Sequence, residues 1–238
     1  MKGYRVNPLY KKRVVFDGDS ICQAGTSGDG WTRRIGERNE MEWYNYGIGG
    51  GTLTAEMYAE SGKARHWISR SIDKIHEKHP TLDYLILEGG TNDADLLGIG
   101  SEKFGELDLG DYSGNYDDTT FTGALDSLFF KAISYYPTAR IGFIVAQRMG
   151  ATAPNFGPDY KRRHYFLRAI EVCKKWGIPY VDLWDGSTLN PKLPCHFNPS
   201  LDEVGNENGG FAYMDGQHPT NTGFDMIAPK IEEWMLTI

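Results

Sequence analysis

The chain has 238 residues, 40% of them hydrophobic and 24% charged, which describes an ordinary globular protein able to bury a full core without disulfides or structural metal. Lysine and arginine number 25 against 32 aspartates and glutamates, and the net charge of −7 argues against non-specific binding to nucleic acid or an anionic membrane face. No apolar run approaches the roughly 18–20 residues that span a bilayer, and no signal-peptide core follows the first residues. The expectation is a cytoplasmic protein with no membrane partner, unless a leader was trimmed. Cys22, Cys173 and Cys195 are odd in number and lack CxxC spacing, which fits a reducing compartment and neither a disulfide framework nor a cysteine zinc site.

In chain order, short apolar runs alternate with longer segments of helical period, the signature of a parallel α/β sheet. Strands are expected at 13–16, 42–46, 82–87, 140–145 and 180–183. Between the second and third, Ala64, Ile68, Ile72 and Ile75 recur at helical spacing until His79-Pro80 stops the run. Before the fourth, Phe121, Leu125, Leu128, Phe129, Ala132 and Ile133 form an apolar face, with Asp118 and Thr119 as capping candidates. Phe166, Ala169, Ile170 and Cys173 repeat the pattern before the fifth, and Phe224, Ile227, Ala228, Ile231 and Trp234 close the chain, with Pro229 expected to kink or shorten that last helix. The result is a three-layer α/β/α sandwich on about five strands. Residues 1–238 read as a single domain with loop insertions around 96–117 and 186–210.

Four segments place chemistry at strand ends or before the last helix. The first strand runs into Asp17-Gly18-Asp19-Ser20, where a serine hydroxyl can project into the crevice at the carboxyl end of the sheet. The second ends in Gly47-Ile48-Gly49-Gly50-Gly51, whose glycines permit close approach of backbone to a ligand and lack the Gly-Lys-Ser/Thr of a phosphate loop. The third ends in Glu88-Gly89-Gly90-Thr91-Asn92-Asp93, where an asparagine amide can either meet an oxyanion or cap a helix. Asp215-Gly216-Gln217-His218-Pro219 sets a carboxylate three residues before a histidine, a spacing that lets it hold Nδ1–H and leave Nε2 to take a serine proton. Each segment alone is weak; together, in this order, they are specific.

In these segments the chain resembles the SGNH, or GDSL-type, hydrolase family. The resemblance runs from Gly18 to the last helix and implies a flavodoxin-like sheet of order 2-1-3-4-5. It implies Ser20 as nucleophile, His218 as base and Asp215 as orienting acid. The backbone amides of Ser20 and Gly50 and the side chain of Asn92 are the implied oxyanion donors, although Gly47, Gly49 and Gly51 leave the register of the glycine open. Ile21 stands where the family name has leucine. Glu88 brings a charge close to the third block, and with Asp19 and Arg148 it is a candidate substrate contact. The implied reaction is that of a serine esterase without cofactor or metal, with short acyl esters expected and O-acetyl groups on carbohydrate foremost. The acidic residues of the two insertions favour neutral or polar substrates, small molecules or glycans, over polyanions. Lysophospholipase or thioesterase activity is the alternative within the family.

Two rivals are more distant. Asp17-x-Asp19 after a strand also resembles a Mg²⁺-dependent aspartyl phosphatase with Asp17 as nucleophile, though the usual Gly-Thr continuation is absent. A non-catalytic module could bind glycans through Trp31, Tyr112 and Tyr116. The run Lys161-Arg162-Arg163-His164 reads as the solvated face of a helix. His66, His76, His79 and His196 lack metal-ligand spacing and read as locally hydrogen-bonded residues, and Cys22 as packing behind the serine turn.

Overall fold

Val14, Val15 and Phe16 are all buried because the strand that carries them is covered on both faces. In the computed structural model, which describes residues 7–24, 29–57, 66–150 and 159–238, that strand, β1 (Arg13–Asp17), is interior to a five-stranded parallel sheet. The others are β2 (Glu42–Asn45), β3 (Tyr84–Glu88), β4 (Arg140–Val145) and β5 (Tyr180–Asp182). Their order is β2-β1-β3-β4-β5, with Val15 beside Tyr44 on one side and Leu85 on the other. This is the flavodoxin-like order expected from the sequence. The chain reverses direction across the sheet between β2 and β3, so the carboxyl end of β1 lies at the topological switch point, where such sheets bind ligands.

Alternate side chains decide what each face receives. Val15, Leu85, Leu87, Phe143 and Val145 pack under α3 (Ile68–Lys78), α5 (Phe121–Tyr135) and α6 (Asp159–Trp176). Val14, Phe16, Ile86 and Ile144 pack under α2 (Trp31–Arg38) and α9 (Asn221–Met235). Gly142 of β4 makes room for this second layer, since a Cβ there would lie 2.4 Å from the ring of Trp234. Among the described residues, four short α-helices complete the layers: α1 (Ser20–Gln23), α4 (Thr91–Leu97), α7 (Leu183–Gly186) and α8 (Glu203–Asn208). Among the described residues, no helix is long and apolar enough to cross a membrane.

Several expectations change. Pro229 does not shorten α9, which continues through it to Met235. The proline lies on the solvent face, so the carbonyl it leaves unpaired can meet water. The cap of α5 is Thr120, whose side chain accepts from Gly123 N, rather than Asp118 or Thr119. Asp118 is instead gripped by Arg70 through Nε at 2.7 Å and Nη2 at 2.8 Å. Ala64 lies outside the described residues. The 96–117 insertion packs along α6. Phe104 stacks on His164, and Tyr112 and Tyr116 pack edge-on against Trp176, at the opposite end of α6.

Candidate active site

The turn after β1 is built on two buried carboxyls. Asp19 caps α1, its Oδ1 accepting from Ile21 N at 2.8 Å, and this sets Ser20 on the first helical residue. Behind it Glu88, the last residue of β3, accepts from Asp19 N at 3.1 Å through Oε2. Gly18 must be glycine here, because a Cβ would lie 2.7 Å from both Cys22 Cβ and Glu88 Oε2. Burial raises the Asp19 pKa and, with the charge of Asp19 beside it, drives that of Glu88 well above the ordinary carboxylate range. Two contacting carboxyls shut away from water share a proton rather than both ionise. Both side chains are fully buried, so the expectation that Asp19 and Glu88 contact substrate is corrected: they shape the serine turn from beneath.

From Ser20 the chain of hydrogen bonds runs outward. Ser20 Oγ lies 2.8 Å from His218 Nε2, and His218 Nδ1 lies 2.7 Å from Asp215 Oδ2. The second oxygen of Asp215 accepts from the backbone amides of Gln217 at 2.8 Å and His218 at 2.7 Å, which holds the carboxylate in the plane its partner needs. Burial opposes ionisation of Asp215, yet the His218 hydrogen bond and charge outweigh it and its pKa falls. Burial likewise acts to lower the pKa of His218, but the bond to Asp215 and the charges of Asp215 and Asp19 raise it.

The glycine loop faces this pair. Gly47 N donates to Asn45 Oδ1, Ile48 N to Gly18 O, Gly49 N to Gln23 Oε1 and Gly51 N to Ile48 O. Among the described residues the amides of Gly50 and Ser20 have no protein acceptor. Gly50 has φ of +77°, a left-handed conformation that glycine adopts without strain. Asn92, at the start of α4, donates from Nδ2 to Gly51 O at 2.8 Å and lies 3.4 Å from Asp19 Oδ2, between the loop and the serine turn. Asp93 beside it accepts from Leu53 N at 2.9 Å and Thr54 N at 2.8 Å, anchoring the chain that leaves the loop. Ser20, Gly50, Asn92 and His218 are all half-buried, so the reacting groups open to solvent on one side.

Further expectations are redirected. Arg148 turns to α7, meeting Ser187 O at 3.4 Å and Asp185 at 3.6 Å. It lines a cavity of about 380 Å³ that includes neither Ser20 nor His218, so its expected substrate contact gives way to a structural ion pair. Asp17 is buried and occupied by His66 Nε2 at 2.7 Å, Gly18 N at 2.9 Å and the Ser71 hydroxyl, which leaves no free oxygen for attack on phosphate. Trp31 is buried against Phe16 and donates to Ile21 O, so it offers no ring to a glycan. Cys22 is buried behind the turn, and burial raises its thiol pKa well above the ordinary value. Among the described residues, no group of three or more His, Cys, Asp or Glu is placed to hold a metal ion.

One residue of the site was misread in the sequence. Arg162, expected on a solvated helix face, is fully buried. It holds Asp95 of α4 through Nε at 3.1 Å and Nη2 at 2.8 Å, and Gln217 Oε1 at 2.9 Å. The Asp215–His218 loop is pinned further by Gln147 Nε2 on Gln217 O and Gly150 N on Gly216 O. Asn206 of α8 donates to Met214 O at 3.1 Å, so part of the 186–210 insertion braces the same loop. The missed signal was spacing: Arg162 falls four residues before Phe166 and seven before Ala169, on their buried face.

A five-stranded parallel sheet of this order has counterparts among known proteins. The model of the GDSL-like lipase/acylhydrolase family covers residues 16–225, and the chain belongs to that family of hydrolases. A search of curated proteins found no match. Among solved structures, a protein from Lactobacillus plantarum superposes with a TM-score of 0.70 at 22% identity, over 96% of this chain and 98% of that one. A carbohydrate acetylesterase from Sinorhizobium meliloti gives 0.62 at 14% identity, over 95% and 99%. An acetyl xylan esterase gives 0.55 at 18%, over 94% and 99%. These likenesses show the fold.

Proposed function

We propose that the protein is a serine esterase that removes short acyl groups, acetyl groups on carbohydrate foremost. The observation that carries this reading is the hydrogen-bonded series Ser20, His218, Asp215 beside the unengaged amides of Ser20 and Gly50. A serine hydroxyl is a weak nucleophile at neutral pH, so His218 Nε2 takes its proton as Oγ attacks the ester carbonyl. Asp215 holds the imidazole with Nδ1–H inward and stabilises the imidazolium that forms. The charge that develops on the carbonyl oxygen is met by the amides of Ser20 and Gly50 and the Asn92 side chain. His218 then returns the proton to the leaving alkoxide, and water repeats the cycle on the acyl-enzyme.

The acyl preference draws support from the half-exposed setting of the reacting groups, and the carbohydrate from two structural neighbours named as acetylesterases acting on sugars. The test is hydrolysis of p-nitrophenyl esters of graded length together with acetylated sugars, using Ser20→Ala and His218→Ala as controls. The expected result is strongest turnover at acetate, acetate release from the sugars, and loss of both in either variant. Undiminished turnover in either variant overturns the mechanism. A maximum at long acyl chains or at acyl thioesters favours a lysophospholipase or thioesterase instead.

A further inference from the structure

On the side of the glycine loop away from Ser20, α3 and the turn before it present His66, Arg70, Lys74 and Lys78, four basic residues at four-residue spacing. Residues four apart on a helix share one face, and like charges so placed repel. Two of the four are already matched: His66 by Asp17, and Arg70 by Asp118 and Glu56. Lys74 and Lys78 are exposed and have no carboxylate partner among the described residues, although the chain as a whole carries a net −7. They border a cavity of about 310 Å³ whose walls include Tyr46, Ile48 and Trp67.

This cavity is joined to the candidate active site. Thr52 N donates to His66 O and Ile68 N to Thr52 O, so the loop that carries Gly50 is bonded to the start of α3. A Cβ on Gly51 would lie 3.2 Å from His66 Cδ2, and one on Gly49 would lie 3.9 Å from Ser20 Cβ. The loop is therefore a thin partition, with the serine on one side and the basic cavity on the other. Ile48, half exposed on the rim, is two residues from Gly50, at most about 7 Å of chain.

We propose that this cavity is a substrate subsite for an anionic sugar, a uronic acid on the same glycan that carries the acetyl ester; the proposal rests on the carbohydrate reading above. Lys74 and Lys78, one helical turn apart, supply two point charges for a carboxylate; Lys78 stands 5.6 Å from the Tyr46 ring centroid and Arg70 5.3 Å from that of Trp67, so the apolar surface left for a pyranose ring is that of half-exposed Ile48 and the ring edges. The site suits a single carboxylate better than phosphate. Its one guanidinium is committed to Asp118 by two bonds, which removes the bidentate fork that phosphate recognition favours.

The test compares kcat/KM on an acetylated neutral oligosaccharide with that on the same backbone carrying a uronic acid, at low salt and at about 0.5 M salt. The expected result is a preference for the acidic substrate of roughly three- to tenfold at low salt, the scale of two exposed ion pairs, that shrinks at high salt. The ratio falls to about one in Lys74→Ala/Lys78→Ala and inverts in Lys74→Glu/Lys78→Glu. Equal rates on both substrates, or a preference that survives the charge reversal, overturns the subsite. A phosphate-bearing sugar that outperforms the uronate overturns the carboxylate assignment. Calorimetric binding of the acidic oligosaccharide to Ser20→Ala separates the two readings. Binding that needs both lysines, without acetate release by the unmodified enzyme, keeps the subsite and discards the acetyl-sugar reaction; absence of both binding and turnover removes the subsite with it.

Discussion

Arg162 Nη2 donates to Gln217 Oε1 at 2.9 Å, tying α6 to the residue that precedes His218. The same guanidinium grips Asp95, two residues beyond the asparagine-bearing turn at Asn92 Asp93. One fully buried cation thus sets the distance between the two segments that face Ser20 from either side. Truncating one partner of a buried ion pair leaves an uncompensated charge, at a cost of about 3–5 kcal/mol. Asp95 is 19% exposed and can recover some hydration, which places Arg162→Ala toward the lower end. Urea unfolding checks the stability. Under conditions where the variant remains folded, kcat on p-nitrophenyl acetate is expected to fall more than KM rises, because His218 loses its fixed position.

His218 must be neutral to accept the serine proton, and its pKa is raised above the ordinary histidine value of about 6.5. The acid limb of the kcat/KM profile is therefore expected above that value. Asp215→Asn removes the largest raising influence, moves the limb downward and lowers kcat by about 10⁴-fold. The linked effect on stability has the opposite course. The contribution of the His218–Asp215 pair is fully present below the unfolded histidine value and is lost as pH rises through the raised native one. A pH series of initial rates and of thermal midpoints on the two proteins separates these effects.

Glu88 and Asp19 both hold protons more tightly when folded. Their contribution to stability is complete below the unfolded carboxylate range and declines as pH rises through the raised native values. Glu88→Gln keeps an oxygen for the Asp19 amide, adds an N–H toward its carboxyl, and has no proton to lose. As pH rises above the ordinary carboxylate range, the thermal midpoint of the parent protein should fall more steeply than that of the variant. Parallel slopes would show that the pair carries no shared proton.

Asn92→Ala removes a side-chain donor without touching the hydrogen bonds between Ser20, His218 and Asp215. The loss expected for one oxyanion donor is about 10²–10³ in kcat, with little change in KM. Gly50→Ala keeps the amide but places a Cβ on a left-handed backbone, which should lower kcat through displacement of the donor. Steady-state kinetics on p-nitrophenyl acetate measures both.

The three interior strands were legible because burial on both faces leaves unbroken apolar runs such as Leu85-Ile86-Leu87, and the ends of all five strands fell within two residues of expectation. Ser20, Asn92, Asp215 and His218 were legible because short motifs sit at strand ends or before a helix, where topology brings them together. What stayed hidden depended on tertiary neighbours. Glu88 reads as a cleft charge until β3 is seen to end behind Gly18. Arg162 reads as solvated until Asp95 and Gln217 close over it. Helix α2 went unread because a glycine, Gly30, stands at its cap and only Trp31, Thr32, Ile35 and Gly36 are buried. The resemblance favours Gly50 as the oxyanion glycine while Gly47, Gly49 and Gly51 leave the register open; the hydrogen bonds of the other loop amides leave the Gly50 amide unengaged.

Ser20 and His218 are separated by 198 residues. Closing so long a loop is entropically slow, and parallel strands joined by crossovers fold later than local helices. Helical signal in a refolding experiment therefore returns before the hydroxyl and the imidazole meet. Recovered esterase turnover becomes a clock for the last stage of folding, and the interval between the two signals times the closure of the chain that brings His218 to Ser20.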